Sequence, residues 1–514
     1  MTKQPFSISV HLPILALVLF VSFFAHLGSV PLFDMGEGIY SEISREMLVN
    51  QDFTTAYLNG KPYFHQPILF YWIQAATIKV LGLNELALRL PSAIGALVWT
   101  LAVFMFVRRL YDFKTAWYAA IFMAASLHIT IIGKAAMPDA MLNLFISLTM
   151  FNIWRYYSTR NKRFVYWAFM FAGLGVLTKG LIAVLIPFMT SIIFFGIKRQ
   201  AKAWLSLIFN PVGLVVFFLI TMPWYLGEYM LHGEAFLNEL LLPDPIGQLQ
   251  DTVTTYSGPI YYYLPIILLG VMPYTVLLIK ALTRLKKLLD DDNLLFMAIW
   301  FILVLVLFSF LPVKHHTYIL TGYAPLFVIM ARTIDELKHP LGLFMPALFI
   351  MVLLFFIPDI TPHIIASISD EYTRTILTEG MDFFDSSYRL FMGAIILLLA
   401  GLPFIKPIPL TIKNAVLVIL FLGVINFLVV PITGKIKQQP LKTAAKIAKR
   451  DGLNVVTWRL DSPSFNVYYE QLTEERLPES GETVLTKNIF LEKIGAHEVL
   501  FQRYGIVLAK VLKN

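Results

Sequence analysis

Residues 11–42 read HLPILALVLFVSFFAHLGSVPLFDMGEGIYSE. Residues 11–30 are predominantly apolar, and a run of that length crosses about 30 Å of hydrocarbon. Two carboxylates, Asp34 and Glu37, follow at once, with Gly36 and Gly38 between and beside them. The pattern predicts a membrane-spanning helix with a polar motif at its mouth. The rest of the chain repeats the theme. Of 514 residues, 58% are hydrophobic and 14% charged, whereas an ordinary soluble protein carries about 25% charged residues. So little charge cannot cover a water-exposed surface, which excludes soluble globular, disordered and fibrous classes. There is no cysteine, so disulfides, thiolate chemistry and thiolate-bound metals are excluded.

Further apolar stretches lie near 87–107, 115–133, 138–154, 164–178, 180–197, 205–222, 259–279, 294–312, 317–333, 341–357, 388–405 and 414–432. The expected architecture is a polytopic α-helical membrane protein with about 13 transmembrane helices. The net charge of +8 sits in short clusters between these stretches, which reads as membrane topology and not as a nucleic-acid surface. With the N-terminus in the cytoplasm, the cytoplasmic turns hold Arg108, Arg109 and Lys114, then Arg155, Arg160, Lys162 and Arg163, then Lys198, Arg199 and Lys202. Lys280, Arg284, Lys286 and Lys287 follow, then Arg332 and Lys338, then Lys406 and Lys413. The segment 223–258 has no Lys or Arg but carries Glu228, Glu234, Glu239, Asp244 and Asp251. This asymmetry orients the chain.

Three outer segments are expected, at 31–86, 223–258 and 358–387. In the first, 41–50 has a helical pattern and 67–82 reads as an interfacial amphipathic helix. The composition turns polar after residue 433. The expected division is a transmembrane part at 1–433 and a small α/β domain at 434–514, outside the cytoplasm, with a helix at 440–450 and strands at 454–459, 483–487 and 505–511.

Five polar segments fall on the non-cytoplasmic side. In 33–42, Asp34 and Glu37 either form a capping box or serve chemistry. In 134–140, KAAMPDA, Asp139 is a helix cap or a functional carboxylate at membrane depth. Lys179, in LTKGL, either snorkels to water or meets an anion. In 309–318, SFLPVKHHTY, Lys314 is a candidate phosphate contact, and the adjacent histidines cannot both point one way on a helix. The fifth, YFHQP at 63–67, contains His65. Their convergence on one side predicts a single cavity facing the outer leaflet.

The text FDMGEGIYSEISREML (33–48), QDFTTAYLNGKPYF (51–64), QPILFYW (66–72) and RLPSAIGAL (89–97) resembles the first outer loop of certain GT-C glycosyltransferases. These are the aminoarabinose-transferase and protein O-mannosyltransferase group. AAMPDAML (135–142), GLGVLTKGLIAVLIP (173–187), MPWYL (222–226) and KHHTYILTGYAPL (314–326) extend the resemblance over roughly 10–335. It implies a GT-C fold, and an enzyme of the bacterial inner membrane with its active site facing the periplasm. It further implies sugar transfer from a polyprenyl-phosphate carrier to an envelope acceptor, lipid A for the aminoarabinose branch. Asp34 would be the main catalytic carboxylate, positioning or deprotonating the acceptor, and Asp139 the second. Glu37, Lys179, Lys314, Tyr318 and His65 would contact substrate or phosphate. Where the aminoarabinose branch has a Glu-Lys pair, this chain has His65-Gln66. A divalent metal is left open by the resemblance. Two alternatives are transfer to secreted proteins and lipid-linked sugar transport without chemistry. The latter predicts related halves or midplane polar groups, which the sequence lacks.

Overall fold

The computed structural model describes residues 6–241, 258–283, 290–337 and 339–512. Asp244 and Asp251 of the segment 223–258 lie outside the described residues, as do Arg284, Lys286, Lys287 and Lys338. The first part of the chain comprises α1 (Ile8–Phe23), α2 (Glu37–Asn50), α3 (Leu69–Leu81), α4 (Glu85–Leu110), α5 (Phe113–Ala125) and α6 (Leu127–Lys134). It continues with α7 (Asp139–Thr159), α8 (Arg163–Lys179), α9 (Ile182–Ile197), α10 (Ala201–Ile208), α11 (Pro211–His232) and α12 (Glu234–Leu241). Beyond these come α13 (Tyr263–Gly270), α14 (Thr275–Thr283), α15 (Asp292–Phe310) and α16 (Tyr323–Ala331), the last preceded by the 3₁₀ turn His316–Gly322. Then follow α17 (Leu341–Phe355), α18 (Ile357–Ser367), α19 (Glu371–Gly380), α20 (Ser386–Gly401), α21 (Leu410–Val424) and α22 (Val430–Lys437).

Helix α5 sits in the middle of the bundle, with every residue from Thr115 to Ala125 buried. Its alanines at 116, 119, 120, 124 and 125 let α1, α4 and α16 pack against it, because small side chains permit close approach where lipid offers no hydrophobic drive. Among the described residues five helices are long and apolar enough to cross a membrane, or up to eight if each bent pair counts as one span. Several stretches that read as continuous spans are in fact broken. The 115–133 stretch bends by 64° between α5 and α6, and the 259–279 stretch by 119° between α13 and α14. Ser126 is extended and caps α6, while Pro273 lacks the N–H a helix needs. The two breaks meet: the Leu127 N–H donates to the Met272 carbonyl at 2.9 Å, so backbone groups freed inside the bundle find partners.

A short hairpin pairs β1 (Tyr57–Leu58) with β2 (Lys61–Pro62), and the C-terminal segment holds α23 (Gln439–Arg450), β3 (Val455–Thr457), α24 (Pro463–Tyr469), β4 (Thr483–Lys487), β5 (His497–Arg503) and β6 (Ile506–Val511). The sheet order is β3-β4-β6-β5, with β3 and β4 parallel and the rest antiparallel. The expected strands are found, together with β5, an edge strand too polar to read as one. Apolar residues of β4 and β6 cover α23 and α24.

The site is positioned by one buried cluster. Arg89 Nε and Nη2 donate to Glu37 Oε1 and Oε2, both at 2.7 Å. Arg89 also donates to the carbonyls of Leu27, Val30 and Pro31. Glu37 accepts from Phe33 N at 2.9 Å and from Ala136 N at 2.8 Å. The capping box expected at 34–37 is therefore not formed. The N-cap of α2 is Gly36, which has no side chain to cap with, and Asp34 and Glu37 bond elsewhere.

The C-terminal segment rests on this first outer segment. The Tyr468 hydroxyl accepts from Leu32 N at 2.7 Å and donates to Glu85 Oε1 at 3.0 Å. Lys442 pairs with the same carboxylate, and Asn466 Nδ2 donates to Asn59 Oδ1. Breaking a buried ion pair by removing one partner costs about 3–5 kcal/mol. Arg89→Ala is therefore expected to lower the unfolding temperature of the detergent-purified protein by many degrees, and an unchanged melting profile would refute the central role given to this pair.

Candidate functional site

Helices α7 and α8 form an antiparallel hairpin, which brings the first residue of one beside the last residue of the other. Asp139 and Lys179 occupy those ends, and Lys179 Nζ donates to Asp139 Oδ1 at 2.7 Å. Asp139 is 2% exposed. Gly180 has φ +80°, a left-handed value that glycine adopts freely. It ends α8 immediately after the lysine and turns the chain into α9. His315 and Thr317, from the turn after α15, are the next electrostatic neighbours of Asp139. Tyr40 of α2 is half-buried and has Asp139, Tyr63 and Tyr318 as electrostatic neighbours.

A histidine pair continues inward. His128 Nε2 faces His316 Nδ1 at 3.2 Å, and His128 Nδ1 faces the Tyr323 hydroxyl at 3.2 Å. The rings of His315 and His316 stack with centroids 4.5 Å apart. Burial and His316 push the His315 imidazole below its ordinary value, so it is neutral near pH 7 and can accept or donate a hydrogen bond. Among the described residues no group of three or more His, Asp or Glu side chains is arranged to hold a metal ion.

The other expected residues have different surroundings. Asp34 Oδ1 accepts from Ser464 N at 2.9 Å and its Oδ2 from the Ser462 hydroxyl at 2.8 Å. The carboxylate thus caps α24, a helix more than four hundred residues away in sequence, and not its own helix. Gly38 permits this approach, since a Cβ there would lie 2.9 Å from Ser464 N. Burial pushes the Asp34 carboxyl up to about 6 against the pull of those hydrogen bonds. Glu37 is taken up by Arg89 and two backbone amides. Lys314 is buried and donates to the Leu311 carbonyl at 2.8 Å. His65 Nδ1 lies 3.1 Å from Glu239 Oε1. Tyr318 packs between Phe308 and His315. Thus Asp139 and Lys179 are in contact, with Tyr318 against His315 beside them, while Asp34, Glu37, Lys314 and His65 make separate contacts of their own. Tyr40 and His128 escaped the sequence reading. Tyr40 sits inside the 33–42 motif, and His128 was visible only as an isolated histidine in an apolar run.

The comparisons agree with this architecture. Residues 65–226 match the family described as dolichyl-phosphate-mannose-protein mannosyltransferase. A crystal structure of ArnT from Cupriavidus metallidurans, bound to undecaprenyl phosphate, superposes with a TM-score of 0.81 at 17% identity, covering 98% of each chain. The chain has the GT-C fold of the aminoarabinose-transferase group. An undecaprenyl phosphate-alpha-4-amino-4-deoxy-L-arabinose arabinosyl transferase from Aeromonas hydrophila is 31% identical over 334 residues, 63% of this chain and 60% of that protein. One of the same name from Erwinia tasmaniensis is 29% identical over 299 residues, 57% of this chain and 54% of that protein. The chain therefore matches rather more than half the length of these curated relatives.

The raised Asp34 carboxyl carries a pH signature. A carboxyl whose folded value lies above its unfolded one contributes stability that is full below the unfolded value and lost as pH rises through the folded value. Between about pH 4 and pH 7, the unfolding temperature of the wild type is expected to fall relative to that of Asp34→Asn. Parallel profiles for the two proteins would refute a raised value at Asp34.

Proposed function

We propose that this chain transfers a sugar from a polyprenyl-phosphate carrier to an envelope acceptor at the pocket formed by Asp139, Lys179, His315, Tyr318 and Tyr40. The observation that carries the reading is the Lys179–Asp139 pair, a cation hydrogen-bonded to a buried carboxylate, with His315, Thr317 and Tyr40 near that carboxylate. In this reaction the acceptor oxygen attacks the anomeric carbon. The bond from that carbon to the carrier phosphate oxygen breaks, and its electron pair leaves on the phosphate. The leaving group is already a stabilised anion, so positioning and charge stabilisation do most of the work. Lys179 is the group that neutralises the phosphate. Asp139 holds the lysine in place, and it receives the proton when the acceptor is a hydroxyl. Asp34, read from the sequence as the main carboxylate, acts here through the docking of α24 on the first outer segment, since both its oxygens bind that helix.

The relatives are named as undecaprenyl phosphate-alpha-4-amino-4-deoxy-L-arabinose arabinosyl transferases, which favours aminoarabinose as the sugar; lipid A is the acceptor implied by the resemblance of the outer-loop motifs. The proposed setting is the bacterial inner membrane, with 13 spans, the pocket facing the periplasm and residues 434–514 a periplasmic α/β domain. Two facts support that orientation. The 21 residues of α7 rise about 31 Å, close to the hydrocarbon thickness. The end of that helix opposite Asp139 carries Arg155, Arg160, Lys162 and Arg163, a cluster expected on the cytoplasmic side.

Mass spectrometry of lipid A from cells carrying wild-type protein, Asp139→Asn, Lys179→Ala or no protein tests the proposal. An added aminopentose mass with wild type is expected, reduced about a hundredfold or more in both variants at equal membrane levels. No wild-type increment on lipid A would refute that acceptor; an increment on secreted proteins instead would select the mannosyltransferase-like reading that the match at 65–226 suggests. Full transfer by Lys179→Ala would refute the phosphate role of the lysine.

A further inference from the structure

The reaction described above makes no use of the histidine pair near Asp139. His128 stands in the first turn of α6, just past the 64° bend from α5. It is buried, and both its ring nitrogens are engaged. Nδ1 faces the Tyr323 hydroxyl and Nε2 faces His316 Nδ1, each at 3.2 Å. Tyr323 is fully buried. Gly270, the last residue of α13, makes room for its hydroxyl, since a Cβ there would clash with that oxygen. His316 differs from both. Its ring has those of His315 and His128 as neighbours, with centroids 4.5 Å and 5.3 Å away, yet the residue is exposed. Its Nε2 has no hydrogen-bond partner among the described residues, and Asp139 and Lys179 are charged neighbours of the ring. A pair of core histidines would have both rings shut away; here one is buried and the other open.

The buried end of this chain of groups sets the proton at its open end. A neutral imidazole carries one N–H and one lone pair, so the direction of one hydrogen bond fixes the next. The Tyr323 hydroxyl has no other hydrogen-bond partner among the described residues, and a buried O–H that donates to nothing is costly. It therefore donates to His128 Nδ1. With both rings neutral, His128 then carries its proton on Nε2 and donates to His316 Nδ1. His316 in turn carries its own proton on Nε2, the nitrogen without a partner. The reverse direction would leave the Tyr323 O–H unsatisfied and turn a bare lone pair of His316 outward.

We infer that His316 is a phosphate-binding residue, donating from Nε2 to a substrate phosphate oxygen beside Lys179, and that His128 and Tyr323 are positioning residues that keep its proton on that nitrogen. The inference rests on the proposed reaction for the presence of a phosphate and adds a neutral donor to the lysine. An N–H bonded to an ionised oxygen is shorter and stronger than a neutral pair, and a neutral ring places no second positive charge next to Lys179. Two phosphates offer the same oxygen, that of the carrier and one on lipid A, and the experiment separates them.

The test uses the full-length protein in bilayer nanodiscs, with histidine side chains labelled with nitrogen-15. The His316 signals are identified by their loss in His316→Gln. In the wild type the proton is expected on Nε2; in Tyr323→Phe it is expected to divide between the two nitrogens. Added undecaprenyl phosphate should shift the Nε2 resonance, and undecaprenol, which lacks the phosphate, should leave it in place. A shift with lipid A instead would keep the phosphate contact and assign it to the acceptor. For whichever lipid gives the shift, His316→Ala is expected to weaken binding about tenfold and to raise its KM in sugar transfer. His316→Gln, whose amide N–H takes the place of Nε2–H, should restore most of that loss. No shift with either phosphate would overturn the contact, as would a proton on Nδ1 in the wild type or equal losses in His316→Ala and His316→Gln. A shift without transfer of any sugar by the wild type would overturn the proposed reaction and leave the phosphate contact standing. Transfer by His316→Ala with unchanged KM for both substrates would do the reverse.

Discussion

The Glu37–Arg89 pair is the constraint on which the rest of this end of the bundle depends. Arg89 spends its guanidinium N–H groups on Glu37 and on three carbonyls at the end of the first helix and the start of the outer segment. Glu37 spends its remaining capacity on Phe33 N and Ala136 N. Five pieces of chain are thereby fixed to one point: the end of α1, the 31–36 turn, α2, α4 and the 135–138 turn leading into Asp139. A buried pair of this kind gains little over apolar packing, but it tolerates no missing partner. Its value is geometric, since it fixes where α2 lies relative to α7.

From that point two sets of polar contacts diverge. On one side Asp34 and Gly38 receive α24, while Tyr468 and Lys442 bind Glu85. On the other, Tyr40 and the His315–His316 turn lie near the Asp139–Lys179 pair. The first set is a docking surface made of helix capping and ion pairing. The second is a cluster of a cation, a carboxylate, imidazoles and phenols. The same short motif at 33–42 thus serves both, with Asp34 and Gly38 turned outward to the C-terminal segment and Glu37 and Tyr40 turned inward.

Much of the fold was legible. Apolar runs near the thickness of a bilayer identified α4, α11, α15, α20 and α21, because hydrocarbon allows the backbone few alternatives to a helix. Strands β3, β4 and β6 were legible from their β-branched runs, while β5 was not, because its apolar residues Val499, Leu500 and Phe501 are consecutive and no position of the strand is fully buried, so no alternation marks it. The breaks at Ser126 and Pro273 were legible only in part. A serine or a proline permits a break, but the partner that makes it affordable, Met272 O for Leu127 N, comes from a distant segment. In the pocket, Asp139, Lys179 and Tyr318 stood out as polar residues at the ends of apolar runs. Tyr40 and His128 did not, since an aromatic or a lone histidine in an apolar context looks like core.

The sequence by itself determined the class of the molecule, the composition of its helices and which of their ends carry polar groups. Those are consequences of local hydrophobicity and charge, which act residue by residue. Only the tertiary structure decided which polar groups meet. Asp34 and Glu37 are three residues apart and have unrelated partners, Ser462 and Ser464 in one case and Arg89 in the other. Asp139 and Lys179 are forty residues apart and share a hydrogen bond. The physical reason is that a buried charge must find its counterpart wherever packing delivers one, and packing is a property of the whole bundle.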